Sequence, residues 1–226
     1  MNGYFITSTD TNVGKTTVAL SLMKYLKAQG KIVGCMKPVS AGCEATPEGL
    51  RNEDALQLIK EASMELPYDQ VNPYAFAPPI APHIAAQQTG VFIDTNIIAE
   101  RYKEIASKSE VVVVEGAGGW LVPVNVHQSM ADIAASLNIS VILVVGMKLG
   151  CLNHALLTVA SITDAGVPFA GWIANQLENN MLEEAKNIEA LKLRIQAPFI
   201  GSVTYGSRPS ERILNLTDNS VVELTK

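Results

Sequence analysis

Residues 7–17 read "TSTDTNVGKTT", and the fold turns on how this stretch is read. Val13-Gly14-Lys15-Thr16-Thr17 has the form of the end of a phosphate-binding loop. The pattern G-x-x-x-x-G-K-[ST] expects a glycine at position 9, however, where Thr9 stands. In a cradle, Gly14 lets the backbone bend close to a phosphate, and the helix behind it offers unpaired N–H groups and a positive dipole end. Lys15 then lies between β- and γ-phosphates, and the Thr16 hydroxyl binds Mg²⁺. A plain strand-to-helix turn with a surface lysine fits the same residues. The loop alone leaves both open.

Working outward, short apolar runs rich in Val and Ile recur at 3–9, 31–37, 110–116, 139–146, 168–175 and 197–203. Several are apolar on both faces, as strands covered by helices on each side must be. Helical spacing fills 15–29, 52–64, 94–108, 150–165 and 180–195. The alternation predicts an α/β fold, a doubly wound, mostly parallel sheet flanked by helices. Residues 66–82, "LPYDQVNPYAFAPPIAP", are the one Pro-rich stretch and read as an ordered excursion over the sheet edge. No second domain is expected, and residues 1–226 are taken as one.

In such folds ligands bind beyond the carboxyl ends of the strands. Four valines run into Glu115, a carboxylate costly to bury unless a cation meets it. A Mg²⁺ ion would be such a cation, and a helix cap or lysine pair is the plainer account. Gly116, Gly118 and Gly119 let the next loop pass close to a ligand, but "GAGGWL" is not G-x-G-x-x-G, so a dinucleotide site is not supported. Lys37, stiffened by Pro38, emerges beside the phosphate loop as a second cation or as a solvated edge residue. Asp54 follows Asn52 at a helix start, where capping and dipole chemistry suffice to explain it. The turn Gly150-Cys151-Leu152-Asn153 offers N–H groups to an anion, or Gly150 merely makes the turn. Asn175 can pair with adenine N6 and N7, or cap a turn.

Composition narrows the classes. The net charge is −5, from 17 basic and 22 acidic residues mixed along the chain, so no basic stripe exists for nucleic acid. No apolar run approaches the ~18–20 residues that span a bilayer, and the N-terminus shows no basic n-region or cleavage site. Three cysteines without metal-ligand or C-x-x-C spacing suit a reducing cytoplasm. The expectation is a cytoplasmic protein that binds neither nucleic acid nor membrane.

Taken in order, "TDTNVGKT" (9–16), "KPVSAG" (37–42), "TPEGLRNEDAL" (46–56), "VNPYAFAPPIAPHIAA" (71–86), "VEGAGGW" (114–120), "VILVVGMKLGCLNHALLT" (141–158) and "AGWIAN" (170–175) resemble the dethiobiotin synthetase family. The family's loop is one residue longer than the common form, so its first glycine falls at Ser8. Serine fits there if its backbone angles stay ordinary.

The resemblance implies an ATP- and Mg²⁺-dependent ligase of the P-loop NTPase type, acting in biotin biosynthesis. It closes the ureido ring of dethiobiotin from 7,8-diaminononanoate and CO₂. An amine takes up CO₂ as a carbamate, ATP phosphorylates the carbamate oxygen, and the second amine attacks the activated carbonyl. It further implies that Lys15 and Lys37 are catalytic and that Thr16, Asp54 and Glu115 hold the metal. Asn12, Val13, Gly14, Thr17, Gly116, Ala117, Gly118, Asn175, Gln176, Thr204, Tyr205, Gly206 and Glu211 contact ATP in this reading. Thr11 and Ser40 touch the diamine. Gly150, Cys151, Leu152 and Asn153 receive its distant carboxylate from the neighbouring subunit of a homodimer.

Three further departures stand out. Ser40-Ala41-Gly42 replaces the family's frequent Ala-Ser-Gly, so a substrate hydrogen bond is either lost or supplied by Ser40. Asn12 removes a negative charge where glutamate is frequent, and Thr204 replaces a common proline. The strongest rival is a P-loop switch ATPase of the partition or septum-site type. Its early-loop signature lysine is here Asp10, and the tail "LTDNSVVELTK" is neither basic nor clearly amphipathic.

Overall fold

The computed structural model describes residues 3–179, 181–206 and 214–216. From β1 (Gly3–Ser8) the chain enters helix α1 (Lys15–Ala28) and returns in β2 (Val33–Met36). Strand β3 (Val39–Ala41) and the hairpin of β4 (Glu44–Thr46) and β5 (Gly49–Arg51) precede helices α2 (Glu53–Glu61) and α3 (Tyr68–Val71). Then come β6 (Tyr74–Phe76), α4 (Pro82–Thr89) and α5 (Thr95–Ala106). A regular alternation follows: β7 (Val111–Glu115), α6 (Met130–Leu137), β8 (Ser140–Met147), α7 (Cys151–Asp164), β9 (Phe169–Gln176), α8 (Glu184–Lys192), β10 (Phe199–Val203) and β11 (Leu214–Leu216).

The main sheet has the order β11-β10-β9-β8-β1-β7-β2. Its pairs are parallel except β10 with β11. The chain leaves β1 toward β2, comes back to β7, and only then continues on the far side through β8, β9 and β10. With right-handed crossovers that reversal puts α1 and α5 on opposite faces of the sheet. A crevice therefore opens beyond the carboxyl ends of β1, β7 and β8, where the strand order reverses. This is the doubly wound, mostly parallel architecture that the alternation predicted.

Burial on both faces explains why those runs are strands. Every residue of β7 is buried, as is every residue of β8 after Ser140. Helix α1 turns Val18, Ala19, Leu22, Met23 and Leu26 inward at helical spacing. Burying a leucine such as Leu22 or Leu26 contributes about 1.5–3 kcal/mol.

Each expected helix contains the observed one, with ends shorter by a few residues. Helix α6 was not anticipated, although its capping box of Ser129 and Asp132 is a sequence signal. The Pro-rich 66–82 stretch folds as α3, β6 and the first residue of α4, and β6 pairs in parallel with β3 outside the main sheet.

Candidate active site

The phosphate loop is built by backbone conformation. Gly14 stands left-handed at φ 86° and ψ 33° immediately before α1, and Asn12 is left-handed too, at φ 58°. Asparagine adopts that region more readily than most side chains, so this position is locally consistent. Ser8 is not among the described residues with positive φ. Its backbone is ordinary, so the serine sits where the family has glycine without strain. Its hydroxyl lies 2.7 Å from the Asp10 carbonyl and 3.1 Å from that of Gly118, and accepts from Lys15 Nζ at 3.0 Å. Lys15 is 7% exposed. Burial, then the neighbouring charge of Lys37, pushes its pKa down to about 8, against the opposing pull of Glu115, Asp54 and Asp10.

Near it lies a charge cluster in which Lys37 and Glu115 are buried and Asp54 is partly exposed. Lys37 Nζ donates to Glu115 Oε1 at 2.6 Å, to Asp54 Oδ2 at 3.2 Å and to the Gly116 carbonyl at 3.4 Å. Thr16 Oγ1 donates to the same Glu115 oxygen at 2.9 Å. Burial disfavours the Lys37 charge, but Glu115 and Asp54 outweigh it and hold its pKa above the ordinary lysine value. Lys37 therefore carries its proton throughout the physiological range.

Thr16, Asp54 and Glu115 fit a magnesium ion. All three offer oxygen, the ligand type that a small hard cation takes. Glu115 Oε2 is buried without any hydrogen-bond partner, an acceptor left for something not yet present. Among the described residues no three of His, Cys, Asp and Glu converge as a closed cage. Two carboxylates and a hydroxyl are a partial ligand set of the type Mg²⁺ takes, since it keeps waters and substrate phosphates as its other ligands.

These groups line a cleft of about 810 Å³ that also takes in Thr11, Asn12, Gly14, Thr17, Ser40, Ala117 and Gly118. Other expected residues lie elsewhere. Val13 is buried beneath the loop, and its carbonyl accepts from Asn175 Nδ2 at 2.7 Å. Asn175 Oδ1 is left buried and without a hydrogen-bond partner. Gln176 donates to Glu184 and accepts from the Tyr205 N–H, tying the Thr204-Tyr205-Gly206 segment to the end of β9. Gly116 lies buried at the end of β7. Glu211 lies outside the described residues.

The turn Gly150-Cys151-Leu152-Asn153 does not line the cleft of its own chain. Gly150 is left-handed there, Cys151 is buried, and neighbouring Leu149 is 98% exposed. Lys148 Nζ pairs with Asp10 Oδ2 at 2.7 Å, linking this turn to the phosphate loop. The Ser40 hydroxyl donates to Asn72 Oδ1 at 2.7 Å, so it is already engaged with protein.

Sequence reasoning missed one wall altogether. Pro79, Ile80, Ala81, Pro82 and Val122 give the cleft an apolar part of its lining. The Pro-rich composition of 66–82 was its signal. Prolines stiffen a surface that water would otherwise disorder, but nothing in the sequence says which side it faces.

The profile of a family described as an AAA domain matches residues 2–209. ATP-dependent dethiobiotin synthetase BioD of Aeromonas salmonicida (strain A449) is 47% identical over 212 residues, covering 93% of this chain and 94% of that one. The protein of the same name from Nitrosospira multiformis (strain ATCC 25196 / NCIMB 11849 / C 71) is 43% identical over 213 residues, covering 94% and 92%. Among solved structures, the MinD cell division protein of Aquifex aeolicus aligns with a TM-score of 0.58 at 16% identity, over 92% of this chain and 84% of that chain. The GDP complex of the signal recognition particle receptor FtsY from Elizabethkingia anophelis gives 0.54 at 14% identity, over 100% and 63%. Likeness at that level shows the P-loop NTPase fold alone and does not favour the switch reading. Identity along nearly the whole length is another matter, and on it the chain belongs to the family of ATP-dependent dethiobiotin synthetases.

Proposed function

We propose that this enzyme closes the ureido ring of dethiobiotin from 7,8-diaminononanoate, CO₂ and ATP, through a carbamate and a carbamic-phosphoric anhydride, releasing ADP and phosphate. The observation that carries the reading is the charged, buried Lys37 held between Glu115 and Asp54, in the same cleft as Lys15. A carbamate and a γ-phosphate repel each other, yet in-line transfer needs their reacting atoms about 3 Å apart. Two ammonium groups lining one cleft favour that approach.

Lys15 and the N–H groups at the start of α1 grip the phosphates, so Lys15 leaves Ser8 when nucleotide arrives. Lys37 attracts the carbamate and follows charge onto the transferring phosphoryl group. Thr16, Asp54 and Glu115 would hold Mg²⁺, which supplies further neutralisation of phosphate charge when bound. The apolar wall of Pro79–Pro82 and Val122 receives the alkyl chain and excludes water from the anhydride. Asn175 turns its free oxygen to the adenine amino group.

The enzyme works as a cytoplasmic homodimer with shared sites. The turn at 150–153, away from its own chain's cleft and beside the exposed Leu149, takes the substrate carboxylate of the neighbour's site. Incubation with the diamine, ATP and ¹³C-bicarbonate should yield a labelled cyclic urea by mass spectrometry, one per ATP consumed. ATP loss that ignores the diamine would overturn the assignment.

A further inference from the structure

Lys37 lies one residue past the end of β2, so the sheet does not fix its peptide groups. They are held instead by the end of α3. The Lys37 N–H donates to the Val71 carbonyl at 2.9 Å, and its carbonyl accepts from Asn72 Nδ2 at 2.6 Å. Asn72 is 3% exposed, and its amide oxygen has work on the other side. It accepts from Ser40 Oγ at 2.7 Å and from the Tyr68 hydroxyl at 2.8 Å. Tyr68 in turn accepts from the Asn52 N–H at 2.7 Å, and the Asn52 side chain caps α2 by accepting from Ala55 N at 3.2 Å. Asp54 sits in the first turn of that helix.

The orientation of this amide is forced. The carbonyls of Lys37 and Tyr74 only accept, so the nitrogen must face them and the oxygen must face the hydroxyls. One buried side chain thus ties together the backbone of Lys37, the Ser40 hydroxyl and, through Tyr68, the cap of the helix that carries Asp54. Lys37 and Asp54 come from separate elements, yet the Lys37 ammonium must reach both Asp54 and Glu115.

We propose that Asn72 is a positioning residue that sets Lys37 and Asp54 in register against Glu115. It touches no reacting atom and acts through the main chain of Lys37 and the start of α2. The proposal rests on the roles given above to Lys37 and Asp54. Partly satisfied polar networks are worse than none, so a change here is felt along both arms.

Two variants separate the arms. Asn72→Asp keeps both acceptor sites for Ser40 and Tyr68 but turns an oxygen toward the Lys37 carbonyl in place of a donor. Misplacement by about 1 Å costs on the order of 100-fold in rate, so kcat should fall about 10- to 100-fold while ATP affinity, set by the phosphate loop, stays within about twofold. Tyr68→Phe removes the acceptor for Asn52 N–H and one of the two hydroxyl donors to Asn72 Oδ1, but leaves the Asn72 amide's bond to the Lys37 carbonyl in place. It should raise the Mg²⁺ concentration needed for half-maximal rate more than it lowers kcat at saturating Mg²⁺.

Crystal structures of the nucleotide-free variants decide the matter without any turnover. In Asn72→Asp the Lys37 ammonium should have left Glu115 Oε1, and in Tyr68→Phe the Asp54 carboxylate should have drawn away from Lys37. Lys37 still seated on Glu115, or a full kcat in Asn72→Asp, overturns the proposal. So does an equal fall of kcat and Mg²⁺ response in both variants that merely tracks melting temperature. Should wild-type enzyme fail to form the cyclic urea, the functional reading falls, and the crystallographic comparison still judges Asn72. If Asn72→Asp does not fold, Tyr68→Phe carries the test alone.

Discussion

Lys37 and Glu115 meet at 2.6 Å with side chains only 5% and 1% exposed, a charge pair sealed from water at the end of two adjacent parallel strands. Breaking such a pair leaves one charge buried and unmatched, which costs about 3–5 kcal/mol. Lys37→Ala should therefore lose both turnover and stability, for separable reasons. Adding Glu115→Gln to it should restore most of the stability by removing the orphaned charge, and none of the activity. Urea denaturation and turnover of the wild type and both variants check this. A double variant as unstable as Lys37→Ala would mean that the pair is not what holds this corner together.

Glu115→Gln on its own addresses the metal. The amide keeps the shape and an oxygen for Lys37 and Thr16, but it removes the negative charge and puts an N–H₂ group at one of the two oxygen positions. Even outer-shell changes lower metal affinity about 10- to 100-fold, so the Mg²⁺ concentration for half-maximal rate should rise at least about tenfold. Titration of the rate with MgCl₂ at saturating ATP measures it. An unchanged titration would remove Glu115 from the metal set.

Lys15 makes nucleotide binding depend on pH. In the empty cleft its pKa is about 8, lowered by burial and by Lys37. Phosphate oxygens favour the protonated amine, so binding raises that pKa and takes up a proton wherever the free lysine has lost it. Below about pH 7 the lysine is charged in both states, and this group gives affinity no slope. Above about pH 8 affinity for ATP should weaken, by up to about tenfold per unit. Calorimetry in buffers of different ionisation enthalpy should find uptake approaching one proton at about pH 9 and far less at about pH 7. Equal uptake at both would contradict the burial argument.

What could be read in the sequence and what could not follow from range. The main strands were legible because Val111–Val114 and Val141–Val145 are apolar on both faces, a signal contained in a few consecutive residues. At 8–16 the grouped Gly14-Lys15-Thr16 gave a local signal, but a plain turn fitted it equally, and the family resemblance decided the reading. Strands β3 to β6 were not, since three-residue strands outside the main sheet carry too little periodicity. Ser40 shows the limit most plainly. The family resemblance implied a substrate contact there, whereas its hydroxyl reaches Asn72, 32 positions away, a partner that only the tertiary fold supplies.

The last prediction concerns the floor of the phosphate loop. Gly146, near the end of β8, lies so close to Val13 that a Cβ there would stand 2.6 Å from Val13 Cγ1 and 2.7 Å from its Cβ. Val13 is 1% exposed, and Asn175 holds its carbonyl from the other side, so the loop cannot yield without moving its N–H groups. Overpacking of this kind costs about 1–3 kcal/mol. Gly146→Ala should therefore weaken ATP binding, about 5- to 150-fold if that whole cost falls on the loop, even though residue 146 is not among the residues lining the cleft. Shortening the opposing side chain tests the cause. Gly146→Ala combined with Val13→Ala should recover much of the affinity, giving a favourable coupling in a double-mutant cycle read by equilibrium binding. Additive losses would show that Val13 is not the obstacle, and that the glycine serves the backbone of β8 instead.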